Sequence, residues 1–279
     1  MKLVMNTGSI AKRCDNLQAI RMIAKAGFDA YDFSMDSKTH FLRDDDYMER
    51  AKEVKKVADE LSLPCLQAHS AFGKIKSAED YAFYVALHRR AIEICHELEC
   101  SMLVVHPGNN YNAEKNFTNL YEKLLPQAEQ LGVRLATENM WNRKPITKKT
   151  YPAACGTVKD FCAHIDIANS HYLTGCLDIG HAEMPGAPGA ATMIRGLGKS
   201  RIGCLHVHDN DLISDKHTLP YQGKIDWESV IEALREIGYE EHFTFEASNF
   251  FKRYPDELVP LALTHMEQVG RYFIKRITE

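Results

Sequence analysis

The chain has 279 residues, 45% of them hydrophobic and 26% charged, with a formal net charge of −4. That balance is ordinary for an enzyme-sized globular protein, and it excludes a global basic field that would draw nucleic acid or anionic membrane to the surface. No segment approaches the roughly 18 consecutive apolar residues of a membrane span, and the opening apolar run is too short for a signal peptide.

Short apolar runs alternate with longer segments of helical period. The runs read as strands are "KLVMN" (2–6), "AYDFS" (30–34), "CLQAH" (65–69), "MLVVH" (102–106), "RLATE" (134–138), "TGCLD" (174–178), "GCLHVH" (203–208) and "FTFEA" (243–247). They are mostly apolar rather than alternating, as expected of parallel strands covered on both faces. Between them, Leu17, Ile20, Ile23 and Ala26 share one helical face, with Gly27 as a C-cap. Met48–Leu61, Tyr81–Leu98 and Leu120–Leu131 repeat the pattern, followed by Val158–Ile165, Ala190–Leu197, Trp227–Ile237 (after an Asp226 N-cap) and a terminal helix near Asp256–Ile277.

Eight strands alternating with eight helices predict one (β/α)8 TIM barrel domain spanning 1–279, with an open doubly wound sheet as the alternative. No glycine-rich phosphate loop follows the first strand, which argues against the nucleotide-binding versions of the open sheet. The eight cysteines include no CxxC pair, and several sit inside apolar runs such as "GCLDI". They read as reduced, buried thiols of a cytoplasmic protein.

In such a barrel the chemistry gathers where the strands end. Here strand three ends in His69, four in His106, five in Glu138, six in Asp178, seven in His206 and eight in Glu246. Any one of these could be a hydrogen-bonded structural group or a helix cap. Together they deliver six ionisable groups to one rim, and converging carboxylates repel unless a cation or shared protons intervene. Glu138, Asp178, His206 and Glu246 suit a divalent ion of mixed nitrogen and oxygen preference: Mn²⁺, Zn²⁺, Co²⁺, Fe²⁺ or Mg²⁺.

The stretches "HSAFG", "VVHPG", "ATEN", "LDIGHA", "HVHDND", "SDKHTLPYQGKIDW" and "FEAS" resemble, in order and spacing, the strand-end signatures of the xylose-isomerase-like barrel superfamily. That superfamily includes sugar phosphate isomerases/epimerases and endonuclease IV. For the sugar-acting branch the resemblance implies a metal held by Glu138, Asp178, His206 and Glu246. It also implies a reaction through a metal-stabilised enediolate, with Glu138 and Glu246 as acid and base. For the endonuclease IV-like branch it implies three zinc ions and further ligands: His69, His106, His181, Asp215 and His217. A third, non-catalytic sugar-binding barrel would be expected to lose ligands, and none is lost.

The sugar-acting branch is preferred because "ENMWNRKP" and "LDIGHAEMPG" look more like those relatives, and a zinc-dependent abasic-site nuclease needs basic surface for duplex DNA. The expected partner is a small-molecule sugar, not membrane or nucleic acid, and the relatives allow a homo-oligomer. His181 is either a substrate contact or a support for Asp178. Trp141 and Asn142 are candidates for sugar contact or a packed loop. Arg143, Lys144, Lys148 and Lys149 are candidates for binding a phosphate or for a solvated basic loop, and the solvated loop is preferred. His208 is expected to point away from His206 and to be structural. Asp209 is expected to brace the loop or a histidine.

Overall fold

In the computed structural model, which describes residues 1–35, 41–73, 75, 77–108 and 112–279, every one of the eight apolar runs forms a strand. They are β1 (Leu3–Asn6), β2 (Ala30–Ser34), β3 (Cys65–His69), β4 (Met102–Val105), β5 (Arg134–Glu138), β6 (Leu173–Asp178), β7 (Ile202–His206) and β8 (Phe243–Phe245). The order is β8-β1-β2-β3-β4-β5-β6-β7, each neighbour parallel. A parallel bridge between Val207 and Phe245 joins the two ends, with Val207 N–H donating to Thr244 O (2.9 Å) and Glu246 N–H to Val207 O (3.1 Å). The sheet therefore closes into a (β/α)8 barrel, and the open doubly wound alternative is excluded. Three strands stop short of expectation: β7 ends at His206 rather than His208, and His106 and Glu246 each lie one residue past the end of theirs.

Local chemistry starts and stops the helices where the sequence indicates. Asp15 accepts from Gln18 N–H (2.7 Å) at the start of Asn16–Ala26, and Gly27 ends that helix at φ 97, a left-handed conformation that suits a residue without Cβ. Ser77 and Asp80 cap Ala78–Glu97 reciprocally, while Thr157 and Asp226 cap Val158–Asp166 and Trp227–Glu236. The helical stretch Ala113–Gln130 departs from the simple expectation, because Phe117–Tyr121 forms a π-helical turn within it. The segment after Glu138, read as a loop, is a β-hairpin of Trp141–Arg143 and Thr150–Pro152.

Side-chain alternation divides the strands between two cores. The outward residues, Leu103, Val105, Leu135, Leu177 and Leu205 among them, pack under the helices. The inward residues Met102, Val104, Ala136, Cys176 and Cys204 make a small separate core inside the barrel. Two residues further along the same strands stand Glu138, Asp178 and His206, so the period of two that builds the plug also raises a polar ring above it. All eight cysteines are free thiols, and six of them are buried. Among the described residues no helix is long and apolar enough to cross a membrane.

Candidate metal centre

The barrel brings all nine candidate ionisable residues to one mouth. Glu138, Asp178 and His206 are buried to within 1% of complete exclusion. With Glu246 they offer four ligand atoms that all lie within 4.8 Å of one another. His206 Nδ1 stands 3.4 Å from Glu138 Oε1 and 3.5 Å from Glu246 Oε2. The other face of Glu138 meets His106 Nε2 at 3.0 Å and His69 Nε2 at 3.5 Å, a second donor group that shares this glutamate.

A third group lies beside Asp178 and consists of His181, His208, Asp215 and His217. Here the expectation for His208 fails. Residues two apart on an extended strand share a face rather than oppose, so His208 follows His206 inward. Its Nε2 lies 3.1 Å from Asp178 Oδ1 and 3.7 Å from Asp215 Oδ1. Gly180 makes this possible, since a Cβ there would sit 1.9 Å from the His208 ring.

The hydrogen bonds fix which nitrogen each imidazole presents. His181 Nδ1 donates to Asn139 O (2.9 Å), His217 Nδ1 to Glu246 O (2.9 Å) and His69 Nδ1 to Ser70 O (2.8 Å). A carbonyl only accepts, so each Nδ1 carries the proton and each Nε2 turns its remaining position inward. His181 Nε2 and His217 Nε2 then converge on Asp215 Oδ2 at 3.3 and 3.0 Å, and His69 Nε2 faces His106 Nε2 at 3.1 Å. Acceptors facing acceptors require either protons or a cation between them, and backbone-anchored imidazoles are a common way to orient metal ligands. Asp215 Oδ1 is buried and accepts no hydrogen bond, which leaves it free as a further donor atom. The residues present therefore fit divalent cations.

Without such cations, protons take up the charge. Burial alone would raise the Glu138 carboxyl, but His106 and His206 hold it well below the usual range. Asp178 is lowered, against its own burial, by His181 and His208. Burial alone would lower His181 and His206, but Asp178 and Asp215 push the first well up, and Glu246 and Glu138 the second. His217 likewise rises to about 9 through Asp215, although burial opposes it.

Supporting groups surround the candidate ligands. Asn139 Nδ2 donates to Asp178 O (2.9 Å) and its Oδ1 accepts from Asp178 N–H (2.7 Å). Asp209 accepts from the N–H groups of Gly223 and Ile225 and from Trp227 Nε1, so it braces the loop as expected. Asp32 went unnoticed in the sequence. It is fully buried on β2, accepts from Asn6 Nδ2 (2.7 Å), and lies 3.8 Å behind His206 Nε2. Burial, partly offset by His206, raises its carboxyl to about 6. A single aspartate inside the apolar run "AYDFS" was the available signal.

Above the ring opens a cavity of about 460 Å³, bounded by His69, His106, Glu138, His181, Asp215, His217 and Glu246. Its walls add Phe72, Pro107, Met140, Trp141 and Asn142. Trp141 Nε1 donates to Asp215 Oδ2 (3.3 Å), tying the hairpin to the third donor group.

Comparison with known proteins agrees with this architecture. An uncharacterised protein of Methanocaldococcus jannaschii is 31% identical over 246 residues, 83% of this chain and 78% of the relative. Among solved structures, a D-tagatose 3-epimerase-like protein superposes with a TM-score of 0.76 at 22% identity, covering 100% of this chain and 98% of the other. IolI protein with a bound zinc atom superposes at 0.74 and 18% identity, again over 100% and 98%. Likeness at these identities shows a shared fold. The sequence model described as xylose isomerase-like TIM barrel matches residues 20–267, and the chain belongs to that family.

Proposed function

We propose that the protein is a divalent-metal-dependent isomerase or epimerase of a sugar or sugar phosphate. The observation that carries this reading is the central group: Glu138 and Glu246 flank Asp178 and His206 at the floor of a cavity large enough for a small carbohydrate. Supporting it, a D-tagatose 3-epimerase-like protein and a D-allulose 3-epimerase share this fold, as does IolI protein, which holds a zinc atom.

Glu138, Asp178, His206 and Glu246 would hold the ion, which when bound supplies Lewis acidity for charge developing on a substrate oxygen. The chain's own groups do the rest. Glu138, sharing the ion with His206 at the cavity floor, would take a proton from the carbon beside the carbonyl. Glu246, whose side chain is 19% exposed, borders the cavity from β8 and can return a proton from its own side. Return to the same carbon gives an epimer, and return to its neighbour an isomer. His181 and His217, anchored through Nδ1, orient substrate hydroxyls where they do not hold an ion. Trp141 and Asn142 offer a stacking face and a polar contact. The free thiols suit a cytoplasmic protein.

The test is solvent exchange. Metal-loaded protein incubated with a panel of ketoses, aldoses and their phosphates in D₂O should place deuterium at C2 or C3 of one of them. No incorporation across the panel would sink the reading.

A second reading, zinc-dependent hydrolysis at abasic sites in DNA, is favoured by one observation: the three donor groups meet at a single mouth, with Glu138 common to two of them. The net charge of −4 weighs against it. Three metal ions per chain together with cleavage of abasic duplex would establish it, and lack of cleavage by fully loaded protein would dismiss it.

A further inference from the structure

The hairpin beside the cavity carries a charge that the ligand ring does not use. Its tip runs from Arg143 to Lys149, with four basic residues and no acidic one. Arg143, Lys148, Lys149 and Thr150 line a groove of about 590 Å³, whose other side is Pro185, Gly186 and Ile213. Among the described residues, ion pairs hold Arg201 to Asp166 at 2.9 Å, Arg271 to Asp29 at 2.7 Å and Arg276 to Glu228 at 2.6 Å. None engages Arg143, Lys148 or Lys149.

The groove and the cavity share no lining residue, but the two are linked by a contact between a side chain of each. The Arg143 guanidinium lies 5.5 Å from the centre of the Trp141 ring, and that same indole lines the cavity and donates to Asp215. Backbone hydrogen bonds close the turn. Lys144 N–H donates to Lys149 O and Lys148 N–H to Lys144 O, both at 2.9 Å. Lys148 adopts φ 56, a left-handed conformation that glycine would adopt freely. Phe72, Pro107 and Met140 add apolar surface to the cavity wall.

Neighbouring cations without counter-charges repel each other, and a dianionic group between them relieves that repulsion. A guanidinium with two ammonium groups matches the three terminal oxygens of a phosphate monoester, the planar fork pairing with two of them. We infer that the Arg143–Lys148–Lys149 groove is an anion subsite of the cavity, and that the substrate is a sugar phosphate whose phosphate group lies there while its hydroxyl end meets the ligand ring. This deepens the sugar reading above and rests on it.

The test is paired calorimetric titration of metal-loaded protein with a pentulose and a hexulose, each against its 5- or 6-phosphate. The wild type should bind the phosphorylated member at least about tenfold more tightly. The ratio should fall to near one when Arg143→Ala, Lys148→Ala and Lys149→Ala are combined, and below one when all three are changed to Glu. These positions are exposed, so folding should survive both triple variants. A ratio near one in the wild type overturns the subsite, as does a ratio unchanged in the alanine variant, which would mean that phosphate meets the metal instead. Preference for abasic duplex DNA over every sugar phosphate, lost in the same variant, hands the groove to nucleic acid and also overturns it. Affinity is read without turnover. A phosphate preference with no deuterium exchange therefore supports the subsite and refutes the reaction, while exchange without preference does the reverse.

Discussion

His208 and His217 lie face to face, with ring centroids 3.8 Å apart and planes 17° from parallel. Two imidazolium rings stacked this closely would repel each other, whereas one divalent ion bound with Asp215 and His181 satisfies the group without that cost. Protein purified without chelator should therefore carry more than one divalent ion per chain. His217→Ala should lower the content by about one equivalent and spare the central ion. Elemental analysis that finds equal content in the two proteins would remove this second position.

Glu138 belongs to two donor groups, and Glu246 faces the cavity from β8. Glu138→Gln and Glu246→Gln should each slow substrate deuterium exchange about 10²- to 10⁴-fold, the usual weight of a general acid or base. Only Glu138→Gln should also loosen metal at the His69–His106 group. Exchange within a factor of about ten of wild type in both variants would take the glutamates out of the chemistry.

Metal binding must displace protons. His217, ordinarily half-protonated near neutrality, is raised to about 9 by Asp215, so it is protonated at pH 7 in the ion-free protein. The sign follows: apparent affinity for Zn²⁺ at this group should strengthen as pH rises, about tenfold per unit per displaced proton, and level off above the raised value. Competition titrations with a buffered indicator would measure it. An affinity that does not change between about pH 6 and pH 8 would contradict the linkage.

A methyl group at Gly180 would meet the His208 ring at 1.9 Å, and that ring is fully buried. Gly180→Ala should destabilise the protein by about 1–3 kcal/mol and push His208 off its 3.1 Å contact with Asp178. A melting curve and a metal count both matching wild type would show that the ring can move aside at no cost.

Asp32 sits behind His206, and its folded pKa of about 6 stands above the ordinary 3.8. A carboxyl raised by folding loses stability as pH climbs through that window, so Asp32→Asn should leave the metal-free protein equally or more stable at neutral pH. The same change removes the anion facing His206 Nε2 and should weaken metal binding about 10- to 100-fold. Unchanged affinity would reduce Asp32 to a buried structural acid.

The barrel was legible because parallel strands leave long apolar runs and helices leave caps, both local signals. "RLATE", "CLQAH" and "AYDFS" match strand boundaries to the residue. The polar cluster at the strand ends was legible because polar residues have little reason to close apolar strands, and the nine positions singled out do lie together. Three things were not. His208 was assigned to the wrong face, although the period of two already placed it with His206. Asp32 was hidden because it lies mid-strand, where only the closed barrel shows that β2 faces β7. The Trp141–Pro152 hairpin shows no alternation of apolar and polar residues, and its pairing depends on contacts that no short window contains.

The apolar plug formed by Met102, Val104, Ala136, Cys176 and Cys204 has a kinetic consequence. It seals the lower end of the barrel, so an ion held by Glu138, Asp178 and His206 has one route out, upward past the hairpin and its tryptophan. A chelator too large for the cavity of about 460 Å³ would find no path to the ion from below. Demetallation should then proceed at the pace of spontaneous release, with a rate that stops rising once scavenger is in excess, and opening the hairpin should quicken it.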